Sequence, residues 1–171
     1  MSDPRPGFSD AQRSSLDAHQ ADQDRTLDAM HSLERALSDA APGREEDWRA
    51  AVLGALSVLD SATADELANS ERPDSLLSDL AHRQPRLRNR TRALRLQYAK
   101  LCDTIDSLRH EIEDHAVAGT DYADLRQRVG WVLTALRHQR ARESDLIYEA
   151  YYEAFKEELR TPVPPDDEAD A

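Results

Sequence analysis

The sequence has few of the residues that build disulfide frameworks, tight phosphate-binding loops and β-sheets. Among its 171 residues are one cysteine, 5 glycines and 5% aromatic residues. The single cysteine, Cys102, cannot form an internal disulfide, and so few glycines leave little room for glycine-rich loops. A low aromatic content together with 33% charged residues favours long amphipathic helices over β-structure. The composition therefore predicts an all-α protein, and the length predicts one domain.

Positive charge is also scarce, and long apolar runs are missing. The chain has 22 Lys and Arg against 34 Asp and Glu, which gives a net charge of −12. Such a chain is not expected to bind nucleic acid or an anionic membrane. The longest stretch without charge, residues 50–59, is about half of a membrane-spanning helix. No cationic and apolar leader precedes the first predicted helix, so we expect a cytoplasmic protein.

Motifs that mark common enzyme classes are missing as well. The sequence contains no phosphate-binding glycine loop, no Gly-x-Ser-x-Gly segment, no His-Glu-x-x-His and no Cys-x-x-Cys pair. Cys102 follows Leu101 in a predicted helix, where a thiol usually packs as a small hydrophobic side chain. We therefore predict that the chain is not an enzyme.

Apolar residues recur with the period of a helix over four long segments. Ser9 and Gln12 have the spacing of a capping box and mark the start of the first segment. The predicted long helices cover about residues 9–40, 45–69, 85–119 and 121 to just before 162, with a short helix inside residues 70–84 that Asp74 could cap. Residues 1–8 and 161–171 are rich in proline and acids and are predicted to be disordered tails around a bundle of residues 9–160.

The third long helix has the most regular apolar face, with alternating steps of four and three residues. Its members are Leu87, Thr91, Leu94, Tyr98, Leu101, Ile105, Leu108, Ile112 and His115. The predicted inward faces of the second and fourth long helices are Trp48, Val52, Ala55, Leu59, Ala62 and Glu66, and Leu125, Val129, Val132, Leu136, Glu143, Ile147, Ala150 and Ala154. Such faces pack side by side. The sequence therefore predicts an up-down antiparallel four-helix bundle with a short helix between the second and third long helices.

Polar residues interrupt these apolar faces. His19 and Gln23 share a sector with the apolar residues of the first helix, and Glu66, Tyr98 and Glu143 lie on the inward faces of the other three. Histidines and carboxylates that project inward from several helices are the groups that build metal sites in bundle cores.

Several segments resemble the hemerythrin-like (HHE) family. Residues 136–151, LRHQRARESDLIYEAY, resemble its last helix, in which a Leu, a His three residues on, a Glu four further and a Leu pair recur. Residues 71–77, 85–87 and 94–101 resemble its connection and third helix, and the resemblance covers about residues 12–158. It implies a four-helix bundle with a di-iron centre, held by several histidines and two carboxylates, that serves O2 binding, sensing, or iron and redox chemistry.

The ligand set that the resemblance implies is incomplete in this chain. The family's histidine in the last helix falls on Gln139, whereas His138 is one position early and is predicted to face solvent. In the third long helix, Gln97 and Tyr98 stand in place of a Glu-His pair. The resemblance therefore implies a divergent member of the family with a degenerate metal site.

His19, Glu66, Tyr98 and Glu143 remain as candidate ligands, and two interpretations stay open. In the first interpretation, these four residues form a metal-free polar network in which the Tyr98 hydroxyl donates to Glu66 or Glu143. Alternatively, they hold one iron or an unusual pair of irons. No cofactor is the first expectation, and iron is the alternative.

A basic run crosses the start of the third long helix. It comprises Arg83, Arg86, Arg88, Arg90, Arg92, Arg95 and Lys100, with no acid between Asp79 and Asp103. Positive charge at a helix start opposes the helix dipole, so neighbouring acids or a partner must compensate. One interpretation is pairing with acidic faces of adjacent helices, or plain solvation. The other is a surface for an acidic or phosphate-bearing partner, with Arg83, Arg86, Arg90, Arg92 and Arg95 as its candidate residues.

An aromatic cluster near the end of the last helix also has two interpretations. Tyr148, Tyr151, Tyr152 and Phe155 pack the end of the bundle, or they form a dimer interface or a partner groove. Together these features predict a non-enzymatic interaction or regulatory module, as a monomer or homodimer. The alternative is an iron-binding protein for O2 or redox sensing.

Overall fold

The computed structural model of the chain describes residues 9–39, 42–114 and 121–160, without the side chains of residues 153–155 and 157–160. Every regular element in this part of the chain is helical: α1 (Asp10–Ser38), α2 (Glu45–Ser70), α3 (Leu76–Arg83), a 3₁₀ turn (Pro85–Leu87), α4 (Arg88–Asp114) and α5 (Tyr122–Arg160). The prediction of an all-α protein is confirmed for these residues. Both predicted tails lie outside them, as do His115, Gly119 and the side chains of Ala154 and Phe155.

The start of α1 confirms the predicted capping box. The backbone N–H of Gln12 donates to Ser9 Oγ at 3.2 Å, and the backbone N–H of Ser9 donates to Gln12 Oε1 at 2.9 Å. These bonds satisfy donors that the first turn of a helix leaves without intrahelical acceptors. After α1 the chain turns at Gly43, whose φ of +74° favours glycine.

The short helix in the connection is confirmed, but its cap differs from the prediction. Ser75, not Asp74, precedes α3, and its side chain accepts from the backbone N–H of Ser78 at 3.2 Å. Asp74 is instead held by two bonds from the Arg72 guanidinium, both 3.1 Å long. A guanidinium two residues away thus competes for the carboxylate, and the serine takes over the cap.

The long helices pack in sequence order, α1 on α2, α2 on α4 and α4 on α5. The regular face of α4 is confirmed, since all members that the structure describes are buried except Leu101, which is half-buried. The face of α2 differs: Leu56 and Thr63 are fully buried, whereas the neighbouring Ala55 and Ala62 are half-buried. Because α2 packs against both α1 and α4, its covered face is wider than a single line of positions.

The short helix α3 carries an apolar cluster of its own. Leu76, Leu77 and Leu80 pack with Leu94 of α4 and Leu146 of α5. Helix α3 therefore lies where α1 begins and α2 ends. In the ranges that the structure describes, no helix is long and apolar enough to cross a membrane.

Candidate functional site

The four candidate ligands come from four different helices and meet in one place. His19 of α1, Glu66 of α2, Tyr98 of α4 and Glu143 of α5 all line one small internal cavity. Its accessible volume is about 10 Å³, close to the space of a single water molecule. The same helical period that buries the apolar residues brings these four polar residues inward.

Glu66 is held by two hydroxyl groups. Thr26 Oγ1 donates to Glu66 Oε2 at 2.5 Å, and the Tyr98 hydroxyl donates to the same oxygen at 2.8 Å. The predicted bond of Tyr98 to a carboxylate is thereby confirmed, with Glu66 as the acceptor. Burial, and then the charge of Glu66, raise the pKa of Tyr98 far above its usual range. Tyr98 therefore acts in this site as a hydrogen-bond donor.

Glu143 is held less completely than Glu66. Gln23 Nε2 donates to Glu143 Oε2 at 3.2 Å, while His19 Nε2 lies 4.0 Å from Glu143 Oε1, beyond hydrogen-bond distance. Burial, followed by the charge of Glu66, raises the pKa of Glu143 to about 7. This carboxyl group therefore titrates close to neutral pH.

His19 faces the cavity as a neutral imidazole. Burial lowers its pKa, and the charge of Asp22 only partly opposes this effect. Its Nε2 is buried and has no hydrogen-bond partner among the residues that the structure describes. One nitrogen of His19 is thus available to a ligand of the cavity.

Gln139 faces inward and His138 faces solvent, as the sequence predicts. Gln139 is buried and His138 is exposed. The Gln139 side chain donates from Nε2 to the carbonyl oxygen of Leu94 at 2.9 Å, in the wall of the same cavity. The position at which the resemblance implies a histidine therefore carries an amide that ties α5 to α4.

Two residues of the site were missed by sequence reasoning. Thr26 continues the spacing of His19 and Gln23 along α1, so the helical period alone could have identified it. Arg95 had been assigned to the basic surface, but it is half-buried and lines the cavity. Its Nη2 donates to the carbonyl oxygen of Ser70 and, at 2.8 Å, to the Ser78 hydroxyl. Its Nε is buried without a partner in the described part of the chain.

Three other arginines of the basic run pair with acids of the same chain. Arg83 binds Asp79 at 2.8 Å, and Arg86 binds Glu149 at 2.8 Å. Arg90 pairs with the same glutamate, and only Arg92 of the five candidates is exposed without such an ion pair in the described ranges. Neighbouring acids thus compensate three of the charges, whereas Arg88, Arg92 and Lys100 are exposed without an ion pair in the described ranges. A partner for this surface stays a prediction.

A larger cleft of about 880 Å³ lies beside the cavity, between the start of α1, the end of α2 and α3. His19, Glu66, Ser70 and Leu77 line both spaces. The buried polar groups therefore lie close to a space that solvent and small molecules can enter.

Cys102 lies near this site but does not take part in it. Its thiol donates to the carbonyl oxygen of Thr63 at 3.6 Å, and burial raises its pKa to about 11. The thiolate that a nucleophile needs is therefore a minor form at neutral pH, in agreement with the predicted packing role.

Comparison of the chain with models of protein families, with curated proteins and with solved structures found no match.

Proposed function

We propose that this chain is a cytoplasmic, hemerythrin-like four-helix bundle with a metal-free polar network in place of a di-iron centre. It acts as a non-enzymatic interaction or regulatory module. The observation that carries the proposal is the use of the site's carboxylates as acceptors for Thr26, Tyr98 and Gln23. These bonds replace, with protein donors, the interactions that a metal would make.

Contacts between α4 and α5 support an antiparallel, up-down arrangement. Arg128 of α5 binds Glu111 of α4, and Arg142 of α5 binds Gln97 of α4. Residue numbers thus rise along α5 while they fall along α4. Gln23 and Glu143 connect α1 with α5, so that the first and last helices are also neighbours.

The residues present do not fit a di-iron centre. Such a centre needs several histidines. Among the residues that the structure describes, His19 is the only histidine in the cavity wall, and Gln139 donates its amide N–H to the Leu94 carbonyl oxygen. Among the described residues, no three His, Cys, Asp or Glu side chains are grouped closely enough to hold a metal ion. The guanidinium of Arg95 in the same wall also repels cations.

Metal analysis tests this part of the proposal. The protein should be expressed with added iron, purified without a metal-affinity tag and measured by elemental analysis and visible absorption. We expect a colourless, helical protein with far less than one iron per chain. Near-stoichiometric iron with oxo-bridge absorption would contradict the proposal.

A second candidate, a single-metal site for redox sensing, is favoured by one observation. The unpaired Nε2 of His19 faces Glu143 Oε1 across 4.0 Å. Two ligand atoms at about 2.1 Å from a tetrahedral metal lie about 3.4 Å apart, so a shift of less than about 1 Å would suffice. In that case Glu143→Ala should abolish metal binding, whereas in a metal-free protein the substitution changes only stability.

The surface that we propose for the partner is the aromatic end of α5. Tyr148 and Tyr152 are 71% and 47% exposed, and their rings stack with centroids 6.1 Å apart. Lys156 lies over the Tyr152 ring at 4.6 Å. Two adjacent exposed aromatic rings beside a cation suit a protein interface, because aromatic side chains anchor such contacts.

Site-specific photo-crosslinking in cells tests this surface. A benzophenone amino acid at position 148 should give a discrete crosslinked species, either with another protein or with a second copy of the chain. The same amino acid at Val58, which is 57% exposed on α2, serves as the control. Equal crosslinking at both positions, or none at position 148, would contradict the proposed interface.

A further inference from the structure

Two residues of the cavity wall each carry a buried nitrogen atom that has no partner among the described residues. One is His19 Nε2 and the other is Arg95 Nε. Both residues line the small cavity together with Glu143 and Glu66. Buried polar groups in folded proteins almost always have a hydrogen-bond partner, so both atoms together point to a polar ligand of this cavity.

The charges of the wall decide which kind of ligand fits. A cation would lie beside the Arg95 guanidinium, and an anion would lie beside the carboxyl groups of Glu66 and Glu143. Either ion is repelled by one side of the wall. A neutral molecule that both donates and accepts hydrogen bonds meets no such repulsion. The accessible volume of about 10 Å³ limits it to the size of one water molecule.

The distance between His19 and Glu143 matches a bridging water. The 4.0 Å between His19 Nε2 and Glu143 Oε1 is too long for a direct hydrogen bond. One water oxygen at about 2.8 Å from each atom spans this distance with an angle of about 90° at the water, near its own geometry. The neutral imidazole nitrogen and the carboxyl oxygen can then both accept from it, while Arg95 Nε–H donates to it.

We infer that the cavity is a binding site for one structural water, which joins His19, Arg95 and Glu143 and completes the polar network. The inference rests on the proposed metal-free site. It adds a ligand, with its three partners, to a place for which the resemblance implies iron. The water would link α1, α4 and α5, while Glu66 and Tyr98 link α2 and α4 directly.

A crystal structure of the full chain at about 1.5 Å resolution tests the inference. We expect one water within about 2.7–3.2 Å of both Arg95 Nε and His19 Nε2. Absence of that density in well-ordered surroundings would overturn the water site and leave the proposed function intact. An anomalous signal from a metal at about 2.0–2.2 Å from His19 Nε2 would overturn both.

Magnetic relaxation dispersion of ¹⁷O-water gives a second test in solution. Relative to wild type, Arg95→Leu should lose about one long-lived water, because the donor of the site is removed. The control is Arg92→Leu, an exposed arginine on the same helix, which should keep the wild-type number. Equal numbers in both folded variants would contradict the site. If Arg95→Leu does not fold, the wild-type crystal structure still decides.

Discussion

Replacement of Glu143 by glutamine is expected to raise the free energy of unfolding at pH 8. In the folded chain, burial and the charge of Glu66 raise the pKa of Glu143 to about 7 from an ordinary value of 4.5. The folded chain therefore holds this proton more tightly than the unfolded chain. The resulting stability is fully present below pH 4.5 and is lost as the pH rises through about 7. The loss corresponds to about 3 kcal/mol at most, and glutamine avoids it.

Other groups around Glu143 make the comparison of two variants necessary. Glu143 is surrounded by Gln23 and His19 from α1, Glu66 from α2, Arg95 from α4 and Arg140 from its own helix. His19 acts in the opposite sense, because its pKa is lowered, and it contributes stability that is lost as the pH falls. The difference between Glu143→Gln and wild type isolates the glutamate, since His19 is present in both.

Urea unfolding at pH 5 and pH 8 measures this difference. We expect it to be less than about 1 kcal/mol at pH 5 and to grow by about 1–3 kcal/mol in favour of Glu143→Gln at pH 8. The control is Asp145→Asn, an exposed carboxylate two residues further along α5. A difference that is the same at both pH values would show that Glu143 does not titrate near neutral pH in the folded chain.

Truncation of Leu56 to alanine is expected to destabilise the chain by about 2–5 kcal/mol. Leu56 is fully buried in α2, with 0% exposure, and belongs to the main core cluster. The cost combines lost apolar burial with the cavity that the removed atoms leave behind. The predicted stripe of the second helix passes through Ala55 instead, so this variant tests the observed orientation of α2.

The matched control for Leu56→Ala is Val58→Ala on the same helix. Val58 is 57% exposed, and its truncation should change the free energy of unfolding by less than about 1 kcal/mol. Thermal and urea unfolding followed by circular dichroism measure both variants. If the two substitutions lower the free energy of unfolding by the same amount, α2 is rotated about its axis relative to the orientation in the structure.

Much of the fold was predictable because local signals and periodicity agree. The capping box at Ser9 and Gln12 marked the start of α1, and the steps of four and three residues in α4 identified its buried face. The orientation of Gln139 inward and His138 outward followed from the helical angle alone. The sequence offers Asp74 as a cap for the short helix, but Ser75 caps α3 in the structure. The bond from Arg72 that holds Asp74 depends on the geometry of the turn, which residue spacing does not show.

The candidate site was predictable as a set of residues but not as a network. The helical period of the apolar residues predicts that four polar residues lie on inward faces: His19, Glu66, Tyr98 and Glu143. The inward faces of a helical bundle meet in its core. The sequence left the acceptor of Tyr98 open between Glu66 and Glu143, and the structure selects Glu66. As a member of the basic run, Arg95 is predicted on the surface, whereas in the structure it bonds to Ser70 and Ser78 and lines the cavity.

The amino-acid sequence alone determined the helical class, the start of the first helix and the faces that turn inward. These features depend on residues three or four positions apart, whose relative directions are set by the helix itself. Tertiary structure decided which donor meets which acceptor, that Arg83 and Arg86 pair with Asp79 and Glu149, and that 4.0 Å separate His19 from Glu143. Those features depend on the rotation and depth of neighbouring helices, which no spacing within a single helix contains.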